Sequence, residues 1–97
     1  MVLAVQVAGL KGVPPMQAGT PPKAVVLNVT VTNPTASSYL TLWPDGNLPP
    51  VASDLNYRRG QTVANLVVVQ VGADGKVRLF NPAGSVDVVI DVVGWYG

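Results

Sequence analysis

Cysteine and histidine are both missing from these 97 residues. Without thiolate or imidazole, the usual ligand sets of zinc, copper, haem and iron–sulfur centres cannot be assembled. The Ser–His–Asp and Cys–His nucleophile systems go with them. Glutamate is absent too, and charged side chains make up only 11% of the chain, against about 25% in an average globular protein. The net charge is +1, and the one basic cluster is the pair Arg58 and Arg59. Nucleic-acid binding normally needs a concentrated Lys/Arg footprint, so a nucleic-acid partner is not expected. Glycine, proline or a polar residue interrupts every apolar run before it reaches the ~18 residues of a membrane helix, so no membrane insertion is expected either. Met1 is followed by neither a basic n-region nor a cleavage pattern, and no targeting signal is expected within the chain.

What the chain does have is valine. Hydrophobic residues supply 48% of the sequence and valine alone 20 positions. Valine is stiff at its first side-chain torsion and favours strands. A chain of this length forms one small domain, 1–97, with a core a single sandwich thick.

Period-two alternation divides it into about seven strands. Residues 2–7 form a short first strand, and 9–22 form an irregular connection with four prolines and three glycines. Residues 24–32 alternate most clearly, with Val25, Leu27, Val29 and Val31 on a core face and Asn28, Thr30 and Thr32 on a wet one. Residues 39–43 put Leu40 and Leu42 inward and Tyr39, Thr41 and Trp43 outward. A long loop over 43–59 holds a short strand at 54–57. The segment 62–71, apolar on both faces from Leu66 to Val69, is expected at the centre of a sheet. Gly72-Ala73-Asp74-Gly75 signals a hairpin into 76–80. The last strand, 86–93, has Val86, Val88, Ile90 and Val92 on its core face. The expected fold is therefore all-β, an antiparallel β-sandwich of jelly-roll-like or immunoglobulin-like type.

Five aspartates are the only acidic side chains. Asp45 and Asp74 sit in turn sequences, where aspartate caps its own backbone. Asp87 and Asp91 share one face of a strand about 13 Å apart, beyond the roughly 5–9.5 Å of glycosidase carboxylate pairs. Lys11, Lys23 and Lys76 lie in no S-x-x-K pattern. Calcium takes only oxygen ligands and is the one metal the composition leaves open, but no D-x-D-x-D-G loop occurs. No enzyme activity, metal or cofactor is expected. The aromatic residues offer the remaining chemistry. Trp43, Asp54, Asn56, Tyr57 and Arg58 together provide an aromatic platform with amide, carboxylate and guanidinium groups, the combination that binds sugars. The bland alternative is that the aromatics cover the ends of a small sandwich.

Several segments taken together resemble a known module. They are AVVLNVTVTNPT from Ala24, SYLTLWP from Ser38, ASDLNY from Ala52, GQTVANLV from Gly60, VGADGKV from Val71 and VIDVVGWY from Val89. The set resembles an accessory β-sandwich module repeated in large secreted and cell-surface proteins of actinobacteria and related environmental bacteria. The resemblance covers 24–96 and implies export and a non-catalytic structural or adhesive role, spacing or anchoring other domains. Partners would be neighbouring domains or copies of itself, with glycans as the alternative through the 43–59 loop. Similar modules begin with an arginine- and aspartate-containing segment that has no counterpart before residue 2, and an open sheet edge is expected to favour self-association.

Overall fold

The computed structural model describes residues 2–50 and 52–97; Met1, and Val51 of the 43–59 loop, lie outside the described residues. Seven strands follow one another: β1 (Val2–Gln6), β2 (Ala24–Thr32), β3 (Ser38–Pro44), β4 (Leu55–Tyr57), β5 (Val63–Gln70), β6 (Lys76–Phe80) and β7 (Asp87–Tyr96). They form two antiparallel sheets, one ordered β1-β6-β3-β4 and the other β5-β2-β7. No helix long and apolar enough to cross a membrane occurs among the described residues. The all-β sandwich expected from the alternation is the fold observed.

The alternation of β2 is the cause of the packing. Val25, Leu27, Val29 and Val31 are completely buried, while the residues between them are half-buried on the outer face. Opposite them, Leu40, Leu42, Leu55, Val77 and Leu79 close the core from the four-stranded sheet. Burying one such side chain stabilises the fold by about 1.5–3 kcal/mol. The connection 9–22 contributes as well: Val13 is buried in the same cluster, and Val7 and Ala8 both donate backbone hydrogen bonds to Gly75 O at 3.0 Å.

Three expectations need correction. Residues 62–71 do not lie centrally; β5 is an edge, and Leu66 and Val68 on its outer face are 58% and 61% exposed. Its second apolar face simply meets solvent. The 72–75 turn does form, with Gly75 N donating to Gly72 O at 2.9 Å, but it makes no hairpin. It passes the chain from β5 in one sheet to β6 in the other. A side chain on Gly72 would strike the backbone of Asp45, its Cβ standing 2.4 Å from Asp45 O, so this turn requires glycine. Finally, the last strand continues beyond residue 93. A bulge at Val93, where the register with β2 shifts between Val26 and Leu27, lets β7 run on to Tyr96. The face given to Val88, Ile90 and Val92 holds, since they pair with Val31, Val29 and Leu27. They are only partly buried because β7 is an edge strand.

Candidate functional site

Strand β3 is paired on both sides but by different partners. Residues Thr41 to Pro44 bond to β6, and Ser38 to Leu40 bond to β4. The chain turns at Pro44 and then runs back along the side of β3 that β4 leaves open. Asp54 closes this gap. Its N–H donates to Leu40 O at 2.9 Å, and its carboxylate Oδ2 accepts the N–H of Leu42 at 2.7 Å. The carboxylate thus stands where the next carbonyl of a longer β4 would be. Thr41 Oγ1 donates to Ala52 O at 2.7 Å, and the inward-facing Asn65 of β5 donates across the sandwich to Asp54 O at 2.9 Å. Asp54 therefore joins the loop to both sheets.

Tyr57 is 4% exposed and faces inward. Its hydroxyl donates to Asn81 Oδ1 and lies 3.2 Å from Tyr39 O. Asn81 Nδ2 in turn donates to Gly84 O at 3.0 Å, clamping the turn that leads into β7. Burial pushes the Tyr57 phenol above its ordinary pKa, and the neighbouring Ser38 hydroxyl pulls weakly the other way. Trp43 sits on the outer face as its position in the alternation requires, opposite Arg78, yet it is only 5% exposed. Its indole Nε1 is buried and has no hydrogen-bond partner among the described residues. Of the five residues the sequence grouped as a sugar platform, Trp43, Asp54 and Tyr57 are thus committed to packing and to backbone hydrogen bonds. This corrects the picture of Trp43 as a solvent-facing ring.

The other two stay at the surface, in different company. Tyr39, 39% exposed, lies opposite Asn56 across the β3–β4 pair. With Pro50, Ala52 and Ser53 it lines a shallow groove of about 270 Å³. Ser53 Oγ donates to Asn56 Oδ1 at 3.2 Å, setting an amide at the groove's margin. Arg58 follows β4 and is exposed; its backbone N–H donates to Gln61 Oε1 at 3.0 Å. The groove combines one aromatic ring and a hydroxyl, with an amide at its margin. Sequence reasoning placed Tyr39 on the correct face but could not pair it with Asn56, because that pairing is tertiary.

At the opposite end of the four-stranded sheet, Arg78 forms an ion pair with Asp45. A hydrogen bond shared with the Asp74 carboxyl, and then the Arg78 guanidinium, hold the Asp45 carboxyl below its ordinary value. This cluster fastens the turn after β3 to the 72–75 turn. Set beside known proteins, the chain matches no protein-family model, no curated protein and no solved structure.

Proposed function

We propose that this domain is a non-catalytic structural module of an exported, cell-surface or extracellular protein, spacing or anchoring the domains around it. The observation that supports this reading is where the chain enters and leaves. The molecule measures 44 × 24 × 16 Å. Two layers of strands about 10 Å apart and about 4.8 Å between neighbours account for the short dimensions, so the long axis runs along the strands. Val2 pairs with Phe80, which pairs in turn with Thr41 midway along β3. Tyr96 pairs with Ala24, and its carbonyl accepts from Lys23 N at 2.7 Å, at the end that holds the 72–75 turn. Strands β1 and β7 both run toward that end, so the chain enters heading in the direction in which it leaves. Units joined before β1 and after β7 stand in line, and a pull between them loads both sheets along their strands.

Energy transfer between folded fluorescent domains joined before residue 2 and after residue 97 tests this. The spacer reading expects a fixed separation that stays unchanged until the domain unfolds. A separation no different from that across a flexible linker of equal length overturns it.

A second reading, sugar recognition, is favoured by the Tyr39 groove with Ser53, Asn56 and the exposed Arg58. It expects signals on related glycans in an array, abolished by Tyr39→Ala with the melting temperature unchanged. A blank array, or loss of binding only in variants that also unfold, removes it.

A further inference from the structure

We infer that two copies of this chain associate through strand β1, pairing antiparallel across a two-fold axis at Ala4 to join their four-stranded sheets into one. Each sheet has two edges, and natural sheets shield edges with charge, proline, bulges, shortness or a covering segment. Three of the four edges here are shielded. Strand β7 carries Asp87 and Asp91 and the bulge at Val93. Strand β4 has three residues and leads into Arg58 and Arg59. On strand β5 the outward N–H of Leu66 is already taken by Asn65 Oδ1 at 3.0 Å. Strand β1 has none of these devices: Val2–Gln6 contains no charge, proline or glycine, and its register with β6 is unbroken.

The hydrogen bonds decide which groups this edge presents. Lys76 O accepts from Asp45 N on the β3 side of β6, at 3.2 Å, and Gly75 O accepts from Val7 N on the β1 side. Backbone groups alternate in direction along an antiparallel strand. Leu3 and Val5, opposite Leu79 and Val77, therefore bond to β6, and the N–H and C=O of Val2, Ala4 and Gln6 point away from the sheet.

Side chains restrict the partner's register. Leu3 and Val5 face the core side and Val2, Ala4 and Gln6 the outer side, as their partners Leu79, Val77, Phe80, Arg78 and Lys76 do. Like must face like across the new pair, because a slip of one residue exchanges the faces. Of the registers that obey this, the one centred on Ala4 uses every outward group. Val2 pairs with the partner's Gln6, Ala4 with the partner's Ala4, and Gln6 with the partner's Val2. The same register sets Leu3, 48% exposed although it points inward, beside the partner's Val5. No charge meets its like at the seam. Arg78 and Lys76, the nearest charges in the sheet, both lie one strand back, and Arg78 is neutralised by Asp45.

Addition of intact strands fits better than exchange of β1 between copies, because Val7, Ala8 and Val13 are buried and anchored just behind it.

The test is light scattering on the intact chain over a wide concentration series, with melting followed by circular dichroism. The mass is expected to rise from 10.1 kDa to twice that and stop there, since a two-fold interface closes on itself. Ala4→Pro removes only an outward N–H, so it should melt like the parent yet remain a monomer. Ala4→Lys sets two lysines directly opposite each other, their Cβ atoms about 5 Å apart, and should also be monomeric, while an equal mixture of Ala4→Lys and Ala4→Asp should restore a dimer holding one chain of each. A parent that stays monomeric throughout, a dimer that survives both single variants, or a mixture that yields no mixed dimer overturns the inference.

Discussion

Replacing Asp54 with alanine separates a structural carboxylate from a ligand-binding one. Its Oδ2 accepts the Leu42 N–H at 2.7 Å, and Leu42 itself is 5% exposed. Removing the carboxylate deletes a charge-assisted hydrogen bond, and it leaves a largely buried backbone donor without its acceptor. The two effects together cost about 2–3 kcal/mol. In a domain of this length that lowers the Tm by roughly 10–20 °C, leaving the protein folded at room temperature if its stability is the usual 5–15 kcal/mol. Asp54→Asn keeps an acceptor oxygen at the same place and should lose only about 1 kcal/mol. Thermal unfolding followed by circular dichroism gives both numbers from one experiment. An Asp54→Ala protein that melts with the parent would show that the bond to Leu42 contributes nothing, and the account of the 43–59 loop as a clasp on β3 would be wrong.

Other substitutions test other parts of the structure. Leu27→Ala, at a completely buried position, should cost about 3 kcal/mol, and Ile90→Ala, on the half-buried edge strand, about half as much; equal losses in urea titrations would mean that β7 is packed as tightly as β2. Trp43→Ala should cost about 3 kcal/mol through lost packing, whereas Trp43→Phe should cost under about 1 kcal/mol because it also removes the buried indole N–H, which has no acceptor among the described residues. A Trp43→Phe protein as unstable as Trp43→Ala would refute that explanation. The Asp45 carboxyl has its folded pKa below the ordinary 3.8, so its contribution is complete above that pH and vanishes as the pH falls through the folded value. The Tm of Asp45→Asn should therefore lie below the parent's at neutral pH and converge with it below 3.8; a gap that persists in strong acid would show that the ion pair with Arg78 is not its source.

The sequence by itself determined the elements and their faces. In β2 valine or leucine at every second position from Val25 to Val31, with Asn28, Thr30 and Thr32 between and after them, admits only a strand with one buried face. The same logic placed Leu40 and Leu42, Val88 and Ile90 on their correct sides, because side-chain direction in a strand is a matter of parity and needs no knowledge of the neighbours. Pairing is different. Strands meet through backbone hydrogen bonds that are alike for every residue, so nothing in Gly72-Ala73-Asp74-Gly75 distinguishes a hairpin from a crossing between layers. Nothing in Leu66 and Val68 tells an edge from a centre. The candidate site shows the same division. Asn56 and Arg58 were legible as surface polar residues of a loop. That Asp54 would bind Leu42 N, that Tyr57 would point into the core toward Asn81, and that Tyr39 would stand beside Asn56 were decided only when segments far apart in the chain were packed together. The exposed edge of β1 belongs to both accounts: its lack of charge is written in the sequence, and its place at the rim of the sheet was set by the pairing of β6 with β3 on one side and β1 on the other.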